Sequence, residues 1–240
     1  MRSPALPLLL MGFWLAPVLA QGDPHLLHQH HQHHSAPPTG AAVGQGMSGH
    51  GDHAGHNHDV GPAGATYDLR WLDAMVQHHT GALRMSEFVF NIGSPGVGAL
   101  ANSIWNEQAR EIKAMGQWRK AWYPEAPVYP VALRTGGDPN SMAGLERMGA
   151  ARIQAMRMMG TTPTRDNRVV WFLEGMLAHH GGALQMAHDA LKKSTNTTVL
   201  RLARQIIVAQ RAEIIALRRM LQREGLSKPE YNQYDALFNF

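Results

Sequence analysis

One eleven-residue segment of this chain carries metal-ligand chemistry, and it occurs twice. Met75-Val-Gln-His-His-Thr-Gly-Ala-Leu-Arg-Met85 agrees with Met176-Leu-Ala-His-His-Gly-Gly-Ala-Leu-Gln-Met186 at 7 of 11 positions. On a helix, at about 100° per residue, Met75, His78, Ala82 and Met85 share one stripe with His79 at its edge. Met176, His179, Ala183, Met186 and His180 form the counterpart. Further along, Gln108-x-x-Glu111-Ile112 recurs as Gln210-x-x-Glu213-Ile214. Imidazoles, thioethers and carboxylates are the donors of transition-metal sites, and helical bundles build such sites from facing helices. The candidate ligands are therefore His78, His79, His179 and His180, with support from Met75, Met85, Met176, Met186, Glu111 and Glu213. Met75 and Met85 lie ~15 Å apart along the axis, so no single ion touches both. The methionines fit core filling about as well as ligation. The two glutamates fit orienting the imidazoles from behind as well as binding an ion. Asp73 and Glu174 precede the first His of each pair by five residues, which turns them away from it.

A second reservoir of donors lies ahead of the first repeat. Residues 21–65 hold 10 of the 15 histidines, as His25, His28, His30, His31, His33 and His34, then His50, His53, His56 and His58. They sit among Ser, Ala, Pro and Gly, a composition that buries no core and is expected to be disordered. Such a segment captures late transition metals, zinc and nickel included. The chain has no Cys, which removes disulfides, thiolate zinc sites, iron–sulfur clusters and cysteine nucleophiles together. Imidazole with thioether and no thiolate favours copper, as Cu(II) where nitrogen dominates and as Cu(I) where sulfur joins. Met142, Met148, Met156, Met158 and Met159 read as core rather than ligands.

The elements that must position these groups are helical. Residues 1–20 read as a signal peptide, with Arg2 in its n-region and cleavage after Ala20, so the mature protein is expected outside the cytoplasm, secreted or periplasmic. No later segment is apolar enough to span a membrane. Helical periodicity predicts helices over about 67–92, 97–123, 165–193 and 197–224. Asp138-Pro139 is expected to open another helix, running to about Met159. A short terminal helix is expected after Ser227, with Glu230 in a capping box. No stretch alternates as a sheet strand does. The fold class is thus all-α: two repeated helical hairpins paired as a four-helix bundle, with an extra connecting helix. The units are the signal peptide (1–20), the His-rich segment (21–65) and the bundle (66–240). Within the bundle come repeat one (66–123), connector and third helix (124–160), repeat two (161–225) and a C-terminal tail (226–240). If the hairpins pair symmetrically, four imidazoles and two carboxylates meet near the bundle's middle. The net charge of +4, with no Lys/Arg block, argues against nucleic-acid binding.

The repeats resemble a widespread bacterial family catalogued as a domain of unknown function, whose signature is M-x-x-H-H-x-G-A-x-x-M followed some 30 residues later by Q-x-x-E-I. The resemblance covers about residues 66–224 and implies a ferritin-like four-helix fold and an extracytoplasmic address. Some members are described as copper-binding resistance proteins. Ferritin-like di-iron enzymes are more distant kin, and their Glu-x-x-His pair is missing, since Ala114 and Ala216 stand three residues after Glu111 and Glu213. The family's second-helix methionine is Met115 in one half but Leu217 in the other. The expected function is binding of copper for sequestration or relay, exchanged with other copper-handling proteins, rather than catalysis. The alternatives are a metal-dependent oxidase and a structural envelope protein with a metal-binding tail.

Overall fold

A computed structural model describes residues 58–93, 96–126 and 128–240. The signal segment and the other nine histidines of 21–65 lie outside the described residues. The order of elements is α1 (Tyr67–Glu87), α2 (Val97–Trp122), β1 (Val131–Leu133), β2 (Leu145–Arg147), α3 (Ala150–Arg157), α4 (Arg168–Lys193) and α5 (Thr197–Arg223). The four long helices form the expected bundle. α1 packs on α2 and α4 on α5 as hairpins, and α1 and α4 meet along the centre. Both central helices are buried on most of their circumference, around a core containing Trp71, Leu72, Phe172, Leu173 and Leu184. No helix among the described residues is long and apolar enough to cross a membrane.

Helix limits follow local chemistry. Asn196 caps α5, its side-chain oxygen accepting from the Thr198 N–H at 2.9 Å, which satisfies one of the amides left over at a helix start. α1 stops at Glu87 rather than near residue 92, because the chain folds back and the Ile92 carbonyl accepts the Gly98 N–H at the start of α2. Gly98 is required there, since a Cβ would stand 2.7 Å from the Ile92 oxygen.

Three expectations are corrected. Residues 138–149 are not α-helical and hold only a single 3₁₀ turn at Met142–Gly144. Asp138 turns back on the Asn140 N–H at 2.9 Å, and the chain then pairs β2 antiparallel with β1, Val131 opposite Arg147 and Leu133 opposite Leu145. This two-stranded ribbon buries Val131 and Leu145 against Leu69 of α1. Three-residue strands are too short to show alternation, so periodicity missed them. The C-terminal segment forms 3₁₀ turns at Pro229–Asn232 and Asp235–Leu237, and no side chain caps the first of them.

The third correction bears most on function. Residues 58–65, counted with the unstructured segment by composition, belong to the fold. Val60 is buried in the core. Arg70, 1% exposed, donates to the carbonyls of Val60 and Pro62 and to the Thr66 hydroxyl. Lys193 donates to the Gly61 carbonyl, and Arg152 to that of Asp59. Replacing Arg70 with Ala leaves buried carbonyls without donors at ~1–3 kcal/mol each. Arg70→Ala is expected to destabilise the fold by about 2–4 kcal/mol in chemical denaturation and to raise hydrogen exchange selectively over 58–66.

Candidate metal centre

α1 and α4 cross so that the two His-His pairs face each other, and all four imidazoles have no exposed surface. Consecutive residues on a helix point about 100° apart, so the pairs split. The second histidine of each pair looks toward the partner helix of its own hairpin. His79 Nε2 lies 2.6 Å from Glu111 Oε2, and His180 Nε2 lies 2.8 Å from Glu213 Oε2. The His79 contact is a hydrogen bond, whereas His180 Nε2 stands off the hydrogen-bonding direction. The first histidines look the other way. The rings of His78 and His179 are 3.8 Å apart between centroids, and His179 Nε2 donates to the His78 carbonyl at 2.9 Å. Neither ring nitrogen of His78 makes a hydrogen bond, nor does Nδ1 of His79, His179 or His180.

The expected single meeting of four imidazoles and two carboxylates is therefore two half-sites, back to back. Each His ring stands 6.3 Å from its sequence neighbour. No three His, Asp or Glu side chains among the described residues are grouped as ready for one ion. On the His79/His180 side, α2 and α5 form a cleft lined by Glu107, Gln108, Glu111, Gln210 and Glu213. Burial, with the charges of Glu213 and Glu111, pushes the Glu107 carboxyl up to about 7. Glu107 was not a sequence candidate, although it sits one helical turn before Glu111. Both amide atoms of Gln108 are buried there without hydrogen-bond partners.

On the His78/His179 side, His58 joins from the segment before α1, 5.4 Å from His78 between ring centroids. Met158, read from sequence as core, is the other arrival, with its sulfur 2.9 Å from His58 Nε2. Met75, Met85, Met176 and Met186 are all buried in the apolar core, and the Met85 methyl packs against Gly175 of α4. Asp73 is turned away as expected, bound to Arg119 at 2.6 Å and to the Val131 N–H. Glu174 likewise pairs with Lys228 and Tyr231.

The family model described as "Domain of unknown function (DUF305)" matches residues 68–229. The chain belongs to the DUF305 family. Its residues 58–65 precede the matched region, so His58 lies outside the family match. Among solved structures, CopM in a Cu(I)-bound form is 25% identical, with a TM-score of 0.47 over 65% of this chain and 96% of that one. CopM in its apo form is 24% identical, with a TM-score of 0.46 and the same coverages. A DUF305 fragment from Deinococcus radiodurans is 26% identical, with a TM-score of 0.47 over 68% of this chain and 99% of that one. No curated protein sequence matches this chain.

Two glycines at equivalent repeat positions serve opposite ends. A Cβ on Gly81 would fall 1.9 Å from the Arg157 carbonyl oxygen, a backbone atom at the end of α3. On Gly182 it would meet only imidazole atoms, His58 Nε2 at 2.7 Å and His78 Nε2 at 3.0 Å. Gly81→Ala is expected to lower the melting temperature. Gly182→Ala is expected to leave it near the wild-type value, because a ring can swing aside and Ala gains ~1 kcal/mol of helix propensity. Thermal unfolding followed by circular dichroism separates the two outcomes.

Burial holds His78 and His179 neutral, with pKa values well below the ordinary 6.5, and neighbouring imidazoles push the same way. The unfolded chain takes up protons at these two residues below pH 6.5 while the native chain does not. Stability due to them is therefore present above 6.5 and lost as the pH falls from there toward the folded values. Metal-free protein should lose up to about 1.4 kcal/mol per pH unit for each of the two imidazoles. A His78→Gln/His179→Gln chain, unfolded by denaturant between pH 7 and 5, should lack that part of the slope.

Proposed function

We propose that this protein binds copper in the interior of its helical bundle, outside the cytoplasm, and sequesters or relays the ion without turning over a substrate. The observation that carries this reading is His78, an imidazole with no exposed surface, neither ring nitrogen hydrogen-bonded, and a second imidazole tilted against it. Leaving such nitrogens unsatisfied costs free energy, and an ion that accepts the lone pair of the unprotonated one recovers part of it. The imidazoles on this face are neutral as ligation requires, so no proton has to leave before metal enters. Neutral imidazole and thioether donors without thiolate favour copper over the structural-zinc alternative. The His-rich segment supplies capture ahead of the bundle, with zinc and nickel as further ions it accepts there. Exchange with other copper-handling proteins follows from a role in relay.

The test is thermal unfolding of the full chain with and without copper. An ion bound only by the native bundle stabilises it by ~2.7 kcal/mol at one hundred times its Kd, an upward shift of several degrees. Ions that folded and unfolded chains bind equally shift nothing. The shift is expected in the wild type and in a chain with His25 to His56 replaced, and it should vanish in His78→Ala/His179→Ala. A wild-type melting temperature indifferent to copper overturns the reading.

A further inference from the structure

Three buried groups from separate parts of the chain meet beside Gly182: His58 ahead of α1, His78 in the middle of α1, and Met158 at the end of α3. His58 Nε2 is 2.9 Å from Met158 Sδ. A methyl group on Gly182 would come within 2.7 Å of His58 Nε2 and 3.0 Å of His78 Nε2. Both nitrogens are thus directed at one small volume, and α4 has no side chain there to fill it. The His179 ring lies 3.8 Å from that of His78 between centroids, with its Nδ1 making no hydrogen bond. Met158 is also the one non-glycine residue among those described with positive φ, at +49°. That left-handed conformation disfavours any residue with a Cβ, and non-glycine residues held in it cluster at functional sites. A methionine retained there places its thioether against His58.

We propose that His58, His78, His179 and Met158 form a single site for Cu(I), three imidazoles and a thioether, completed by the docking of residues 58–65 on the bundle. The proposal rests on the copper reading above and assigns the site within it. Charge selects the oxidation state. No carboxylate stands among these four donors, and Glu111 and Glu213 lie beside His79 and His180 on the other face. The cost of burying an ion rises with the square of its charge, so a divalent ion without a carboxylate is strongly disfavoured here. A soft monovalent ion is tolerated, and the thioether adds preference for it. His58 is the last of the ten histidines in 21–65, which joins this site in sequence to the His-rich segment.

The test loads the full chain with one equivalent of Cu(I) without oxygen. Affinity is read by competition with a chromogenic Cu(I) chelator, and the donor set by X-ray absorption at the copper edge. His58→Ala and Met158→Leu should each weaken the first equivalent by at least the ~10-fold that loss of even an outer partner causes. Met158→Leu should also remove the sulfur scatterer. His188→Ala, a histidine of α4 bonded instead to the Leu237 carbonyl, should change neither readout. His58→Gln keeps a polar group of similar reach and guards against simple unfolding, which circular dichroism monitors. A folded His58→Gln chain that binds like the wild type overturns the proposal, and so does sulfur scattering that survives Met158→Leu. If copper still raises the melting temperature, and only the His78/His179 pair is needed for it, the copper reading stands and this four-donor site falls. If copper raises no melting temperature at all, both fall.

Discussion

Burying four imidazoles at the seam between two helices takes eight ring nitrogens out of water, and a buried nitrogen without a partner costs ~1–3 kcal/mol. The molecule meets this constraint unequally. On one face α2 and α5 bring Glu111 and Glu213 to His79 and His180. On the other, the His78 backbone carbonyl accepts from His179, and His78 itself finds no hydrogen-bond partner. A packing motif would not need its most buried imidazole left in that state, since an apolar residue of similar shape avoids the cost altogether. The rest of the fold can be read as the apparatus that holds this deficit in place. Hairpin packing presses the pairs together, the ribbon and Arg70 fix the N-terminal end of α1, and two glycines allow close approach.

The two halves repeat in sequence but differ in what lies over them. Gly81 is met by the backbone of α3, whereas Gly182 is met by the rings of His58 and His78. Gly181, which stands where repeat one has Thr80, is covered by the Tyr234 ring of the C-terminal segment. Glu107 has Ala209 at the matching place in repeat two. Duplication supplied a symmetric set of donors. Segments outside the repeats then occupied one side each, and the symmetry of the donors was lost to the asymmetry of their surroundings.

Much of the bundle was legible because its cause is periodic. Stripes at 3.6 spacing, one pair of repeats and a few caps locate four helices to within a few residues at most ends, and α1 is the exception because its last turns are diverted to cap α2. The four buried histidines and the two glutamates that reach them were also readable, since an undecapeptide repeat marks the first and the Gln-x-x-Glu-Ile repeat the second. What was not legible depends on tertiary contact. The ribbon is only three residues long per strand. Val60 becomes core only because Arg70 and Lys193 bind the carbonyls around it. Composition around His58 is that of an unstructured segment, yet the residue is 8% exposed. Met158 is one of five methionines in its stretch, and nothing in the spacing singles it out. Only the left-handed end of α3 does so.

The division of the imidazoles into two faces has an electrostatic consequence that spacing could not reveal. On the α2/α5 side, three carboxyls are crowded enough that Glu107 titrates near neutrality, and each imidazole has turned its Nε2 to a carboxylate oxygen. The His79 nitrogen is hydrogen-bonded, that of His180 lies 2.8 Å from a carboxylate oxygen, and the surroundings are anionic. On the other side His78 and His179 are neutral and dry, and His78 makes no hydrogen bond. One undecapeptide, used twice, therefore yields two sets of imidazoles in opposite electrical surroundings. A cation entering the seam meets compensation for its charge on one side and only lone pairs on the other. The preference between them is decided by the ion's own charge and softness rather than by how many histidines lie within reach.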